Sequence, residues 1–501
     1  MLETLRYGSA RGRWVITATV LGSGVAALDA TVVGIALPTI GKEFSVGLGS
    51  LQWVVNGYTL TLAGLLLLGG ALGDRYGRRR VFIIGVVWFA LASLLCGIAI
   101  NAPMLIAARL LQGVGGALLT PASLAILQAS FAPGDRSKAI GAWSGLGGVA
   151  VAIGPFIGGY LIDGVSWRLV FLINLPLALA VLVITARHVP ESRDPEASHH
   201  LDLAGAALAA LGLAGVTYGL TYGPDGGWAS PAVLLSLAAG IVALLAFVAV
   251  ELRSPGPLLP MSMFRSGQFS ATNAVTFTVY GALGAMLFLL PLQLQQVSGY
   301  SPIQAGTALL PVTIVMLLFS SRSGALAARI GPRLQMSVGP VVVAGGMVLI
   351  TGIDQSGGYL TQVLPGVLWV GAGLAITVAP LTSTALSSAP MEHAGIASAV
   401  NNDFARVGGL LSVAVLPPLA GLTAGSYLDP DAFSNGFEAA VLIAAAVCAL
   451  GGVLAAALIR DPQPPDRQPS PPVERPHRHC ALDGPPARVS ADQPASAAGS
   501  T

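Results

Sequence analysis

The stretch "GALGDRYGRRRVF", residues 70–82, puts five charged side chains into thirteen positions: Asp74, Arg75, Arg78, Arg79 and Arg80. Uninterrupted apolar sequence flanks it on both sides. The whole chain of 501 residues is 54% hydrophobic and only 10% charged, with a mean hydropathy of +0.75. Soluble domains are about 25% charged. So few charges cannot cover a water-facing surface, and the chain reads as an integral membrane protein in which residues 70–82 form a turn at the bilayer surface. A net charge of +2 gives no footprint for nucleic acid. Cys96 and Cys448 lie in apolar runs and Cys480 in a polar one, without disulfide or metal spacing.

A helix needs roughly 20 apolar residues to cross a bilayer. That rule predicts an all-α integral membrane fold of about fourteen transmembrane helices, the first over 14–37 and the last over 437–459. The first run is too long for the core of a signal peptide and reads as a retained span. Lys and Arg then fall in alternate loops. Arg6, Arg11 and Arg13 precede the first span, Arg75 to Arg80 follow the second, and Arg136 and Lys138 follow the fourth. Arg193, Arg253 with Arg265, and Arg322, Arg329 with Arg333 continue the series, while Lys42 is the one clear base in the other loops. Because basic loops stay on the cytoplasmic side, both termini are expected in the cytoplasm of a multi-pass protein of a bacterial-type cell (inner) membrane. After Arg460 the sequence turns Pro-rich and polar, and 460–501 reads as a disordered cytoplasmic tail.

The opening stretch has an echo. "GALAARIGPR" (324–333) repeats its Gly-Ala-Leu, and the Arg, Gly and Arg that follow at the same offsets, with Ala328 where Asp74 stands. Both copies follow an even-numbered span, as an internal duplication would place them.

Four motifs in order carry a resemblance to a known family. They are "LDATVVGIALP" (28–38), "GALGDRYGRRR" (70–80), "RLLQGVGGALLTP" (109–121) and "GPFIGG" (154–159). "WRLVFLINLP" (167–176) and "VSGYSPIQAGTALLP" (297–311) add to them. The chain resembles the major facilitator superfamily, specifically its fourteen-span drug:proton antiporter branch, over roughly 14–459. The resemblance implies two six-helix bundles related by a pseudo-twofold plus two extra central helices, an architecture general to that superfamily. The expected divisions are a cytoplasmic N-terminus (1–13), an N-terminal bundle (14–187), a linker with two extra helices (188–268), a C-terminal bundle (269–459) and the tail. It implies export of drug-like or antibiotic amphipathic compounds, cationic ones included, in exchange for protons by alternating access, by a monomer, with the proton gradient in place of any cofactor. Gly34 departs from the first-helix motif, which commonly has Asn there.

Asp29 is the sharpest site, because a charge near the middle of a span costs at least ~2.5 kcal/mol. Desolvation disfavours the charged form of a carboxylate, so such a group can take up and release a proton, and it can also neutralise a cationic drug. The alternative is a structural Asp29, protonated or hydrogen-bonded to Ser23 or Thr31. Arg109, which cannot deprotonate, either tunes that carboxylate or snorkels to the interface. For the loop motif of Gly70, Asp74, Arg75, Gly77 and Arg79, the resemblance implies that Asp74 and Arg75 latch the two halves in the outward-facing state. Arg78 and Arg80 read as anchors to anionic lipid. In the antiporter motif, Gly154 and Gly158 allow close helix packing, Pro155 bends the helix and Gly159 completes the pattern. Asp403 and Arg406 stand three apart on one helix face, either as a self-neutralising pair or as a transport site. Trp53, Asn56, Tyr58, Trp143, Asn273, Tyr280, Gln293, Asn401 and Asn402 are the remaining candidates to line a cavity, with interfacial anchoring equally open for Trp53 and Gln293.

No P-loop, G-x-S-x-G, H-E-x-x-H or C-x-x-C motif occurs, so ATP drives nothing within this chain and no enzyme class is indicated. An importer of a small metabolite on the same fold and a non-transporting membrane sensor are the remaining alternatives.

Overall fold

Apolar runs as long as these become helices because hydrocarbon offers the backbone amides no other partner. A computed structural model describes residues 4–194, 201–355, 358–388, 394–423, 425, 427 and 429–461. Most of the expected tail lies outside the described residues.

The chain begins with α1 (Ala10–Phe44), α2 (Leu48–Tyr76), α3 (Arg78–Gly97), α4 (Ala102–Ser130) and α5 (Pro133–Gly164). A short α6 (Leu169–Leu172) runs on into α7 (Asn174–His188), and α8 (Leu203–Gly226) and α9 (Pro231–Glu251) follow. Then come α10 (Gly267–Gln296), α11 (Pro302–Ala308) continuing as α12 (Leu310–Ile330), and α13 (Arg333–Ile350). The last are α14 (Leu364–Ser387), α15 (Ala394–Leu419) and α16 (Pro430–Leu458). Among the described residues, thirteen helical stretches are long and apolar enough to cross a membrane. The difference from the expected fourteen falls on α15. It has 26 residues, but Asn401, Asn402, Asp403 and Arg406 dilute its apolar sequence.

The helices before α8 pack mainly on one another: α4 holds α2 and α3, and α1 lies against α5 and α7. Those from α10 onward do likewise, with α10 on α15 and α16, and α13 on α14 and α16. The two sets meet where α2 runs along α15 and where α5 meets α11. The extra helices α8 and α9 pair with each other, and α8 leans on both α2 and α15. The outer face of α9 is rich in exposed apolar residues such as Leu235 and Leu245, a surface suited to lipid.

The alternation of helices puts the arginine-rich loops at one end, called here the basic end. At the opposite end stands a base that charge counting missed. Arg168 lies 2.7 Å from Glu43, which also accepts a 2.6 Å hydrogen bond from Trp167. Its charge is cancelled locally, so it does not disturb the alternation.

Candidate functional site

A carboxylate is stable inside a bilayer only if nearly every lone pair has a donor. Asp29, on α1, is fully buried and meets that condition. Arg109, on α4 and 1% exposed, donates Nη1 to its Oδ2. Gln112, also on α4, donates to Oδ1 at 2.8 Å, and Asn174, at the start of α7, donates to the same oxygen at 3.0 Å. Gln112 donates as well to Ser93 on α3 at 2.8 Å, and its carbonyl accepts from Arg109 at 2.6 Å. The guanidinium is fixed from the far side by a 2.9 Å bond from Nε to the Val54 carbonyl of α2. Tyr58 lies beneath it, with its ring centroid 4.4 Å away and its hydroxyl donating to Ala26 O at 3.3 Å. One ion pair therefore ties α1, α2, α3, α4 and α7 together.

This geometry gives Asp29 partners other than Ser23 and Thr31. Ser23 bonds Ser123 at 2.6 Å and accepts from Trp143 at 3.1 Å, while Thr31 donates to its own helix at Leu28 O. Thr31 is two residues from Asp29 and faces another side of α1. Arg109 does not snorkel. Gln112 and Asn174 were not singled out from the sequence. The signal was available, since Gln112 stands three residues after Arg109, on one helix face, and Asn174 interrupts an apolar run.

The charged turn forms a clasp. Asp74 pairs with Arg78 at 2.8 Å, not with Arg75, whose guanidinium lies over the Tyr76 ring. Arg79 donates its amide to Glu191 at 3.1 Å and its side chain to Ala186 O at 2.8 Å. Arg78 N bonds Ser192 O, and Asp194 N bonds Asp74 O. Apart from the Asp74–Arg78 pair, these bonds run to α7 and the segment after it, within the first set of helices. Gly70 packs beside Pro121 of α4. Gly77 is required at the turn: its φ is +115°, and a Cβ there would stand 2.7 Å from a Glu191 oxygen. Gly77→Ala is expected to cost about 1–3 kcal/mol and Asp74→Ala, in a partly exposed pair, less than about 1 kcal/mol. Thermal unfolding of the two variants in lipid nanodiscs checks that order.

The antiporter motif is a double contact. A Cβ on Gly154 would strike the Thr31 hydroxyl, and one on Gly158 would stand 2.6 Å from Val32, so these two glycines press α5 onto α1. A Cβ on Gly159 would stand 2.6 Å from the Pro302 carbonyl, and one on Gly306 would strike the Pro155 carbonyl, so the next turn presses α5 onto α11. Asp163, one turn further on, accepts from Ser301 Oγ at 2.9 Å and Ile303 N at 3.0 Å. Gln52 bonds Val413 O at 2.7 Å and Gln295 bonds Ile35 O at 3.0 Å. These bonds join the two sets of helices toward the end opposite the arginines.

The remaining candidates separate. Gln293 is buried against Ile353 O and Ser434, inside the second set of helices, so it neither lines a space between the sets nor anchors at an interface. Trp53 packs on Tyr218 of α8 and Trp143 is held by Ser23. Asn401 bonds Asn273 at 3.1 Å and Thr276 at 2.7 Å, stapling α15 to α10. Tyr280, partly buried, packs against an apolar core that residues of both helix sets share, and Asn402 is exposed. Asp403 and Arg406 make no ion pair with each other: Asp403 Oδ1 and Arg406 Nε are buried without a hydrogen bond, and so are both amide atoms of Asn56. A recess of about 310 Å³ between Glu251 and Arg265, at the basic end, is remote from Asp29 and shares no residue with its network.

Comparison with known proteins agrees with this architecture. The family described as the Major Facilitator Superfamily matches residues 19–413. The tetracenomycin C resistance and export protein of Streptomyces glaucescens is 36% identical over 85% of this chain and 79% of its own. The methylenomycin A resistance protein of Bacillus subtilis (strain 168) is 36% identical over 84% of this chain and 90% of its own. Among solved structures, a bacterial homolog of the human lysosomal transporter Spinster, inward-facing and unoccupied, superposes with a TM-score of 0.63. It is 17% identical and covers 91% of this chain and 100% of that one.

Proposed function

The chain belongs to the Major Facilitator Superfamily, and from that premise we propose that it exports drug-like amphipathic compounds in exchange for protons, with Asp29 as the proton-coupling carboxylate and Arg109 as its fixed counter-charge. Its relatives are named for antibiotic resistance and export. The observation that carries the coupling role is the Asp29–Arg109 pair, bonded into five helices at once. Arg109 keeps its charge throughout, so a proton on Asp29 weakens the bond that holds the guanidinium. Arg109 must then lean on its other acceptors, Gln112 and the Val54 carbonyl. Through Val54 the change reaches α2, which faces the second set of helices. A sealed carboxylate can exchange a proton, but its bonded oxygens leave no room for a cationic cargo.

In this reading α1–α7 and α10–α16 are the two rocking bundles, α8 and α9 the extra pair, and α15 the fourteenth span. The basic end faces the cytoplasm, with both termini there. The contacts of Gly159, Asp163, Gln52 and Gln295 then close the outer side, as an inward-facing state requires. The clasp around Asp74 stiffens the first bundle. Cells producing the chain are expected to extrude a neutral dye such as 3-hydroxyflavone or a cationic one such as ethidium, and Asp29→Asn should reduce that extrusion to the level of cells lacking the protein. Energised efflux that persists unchanged in Asp29→Asn would remove Asp29 from the mechanism.

A further inference from the structure

The hairpin of α8 and α9 carries two carboxyls that the Asp29 network does not use. Asp202 caps the start of α8, where its Oδ1 accepts from Gly205 N at 2.6 Å. Glu251 ends α9, and its Oε2 accepts from Leu259 N at 3.0 Å. Each carboxyl is left with one further oxygen, and the two converge over Gly205. A Cβ there would stand 2.8 Å from Glu251 Oε1 and 2.9 Å from Asp202 Oδ2. Glu251 is 3% exposed, and both of these oxygens are buried without a hydrogen bond.

Two ionised carboxylates cannot rest this way. Each bare oxygen would be an unmet acceptor, and the like charges would repel one another away from water. The charged groups around them offer no relief. Arg253 follows α9, and Arg265 lines the recess beside Glu251. Of the helices packed on α8, α2 brings Asp74 and Arg75 to this end, and α15 carries Asp403 and Arg406. None of these forms an ion pair with Asp202 or Glu251. A single proton meets both deficits, because it turns one acceptor into a donor for the other. The helix ends decide where it sits. The start of a helix stabilises an anion and the end of one disfavours it, so Asp202 keeps its charge and Glu251 takes the proton.

We propose that Asp202 and Glu251 form a second proton-binding site, apart from Asp29, in which the Glu251 carboxyl donates from Oε1 to Asp202 Oδ2 and fastens the start of α8 to the end of α9. The recess of about 310 Å³ that Glu251 lines places the pair beside the surface of the basic end. Loss of the proton leaves two anions face to face, so the hairpin loosens at alkaline pH. The site does not depend on the export reading.

The test compares the full-length protein with Glu251→Gln in lipid nanodiscs. The Gln amide keeps a donor facing Asp202 and has no proton to lose, so this variant is expected to be at least as stable as the wild type at neutral pH. Infrared spectroscopy reads the carbonyl stretch of protonated carboxyls. At neutral pH the wild type is expected to show such a band that Glu251→Gln lacks. In thermal unfolding the wild type should lose ground to Glu251→Gln as pH rises, by up to about tenfold in the folding equilibrium per pH unit, because the folded chain holds one proton more than the unfolded chain. A wild type without the band, as expected if a metal cation sits between two carboxylates, overturns the proposal without any variant having to fold. A band that persists unchanged in Glu251→Gln, unfolding temperatures that run parallel across the pH range, or a Glu251→Gln variant that fails to fold at neutral pH overturns it as well.

Discussion

Arg109→Leu is expected to cost about 3–5 kcal/mol of stability and to abolish export. The substitution leaves Asp29 fully buried and without its cation. Gln112 and Asn174 still donate to the carboxylate, but two neutral amides do not replace a guanidinium. The stability loss comes from the orphaned charge, so removing that charge should restore most of it. The double variant Asp29→Asn with Arg109→Leu is therefore expected to unfold near the wild-type temperature. Its amide oxygen still accepts from Gln112, yet it holds no exchangeable proton and should not export. Thermal unfolding in nanodiscs and dye efflux from cells separate the two effects. A single variant as stable as the wild type would mean that the Asp29–Arg109 pair does not carry this stability.

Gly159→Leu is expected to stop transport by a different route. The added side chain would enter space already filled by Ile303 and the Pro302 carbonyl, and α5 would be pushed off α11. Overpacking of this kind costs about 1–3 kcal/mol, and it falls on the contact between the helix sets, not on either set's core. The protein should therefore still fold but fail to close at that end, loosening the Asp163 bonds to Ser301 and Ile303. A cysteine at Ser301, in a chain with Cys480 replaced by Ser, reports this as faster labelling by an impermeant thiol reagent. Gly145→Leu is the matched control, because nothing lies within 4 Å of a Cβ at Gly145. It should label at the control rate. Equal labelling in both variants would show that Gly159 does not govern the closure.

The two charges at the centre were legible because an ionised side chain in an apolar run has few explanations. The neutral members of the network were not. A Gln or Asn in a span is as easily a packing residue as a ligand, and only the fold brings Asn174 to a carboxylate 145 positions earlier. Depth was readable where direction was not. Gln293 and Trp53 stand near span ends, as expected, but their rotation about the helix axis turns one into the second helix set and the other onto α8. The charged turn was recognised by its composition. Its pairing was missed because Asp74 and Arg78 lie on either side of Gly77, whose positive φ folds α3 back against α2. The span count was blurred at α15 because Asn401, Asn402, Asp403 and Arg406 interrupt its apolar sequence within ten residues of one another.

The most direct measurement of the central claim uses proteoliposomes with an imposed pH gradient and a compound that the wild type extrudes from cells. The compound is expected to dissipate the gradient with wild-type protein, and Asp29→Asn to bind it still but leave the gradient standing. Dissipation by Asp29→Asn at the wild-type rate would contradict the account, for the proton would then be crossing without the buried pair.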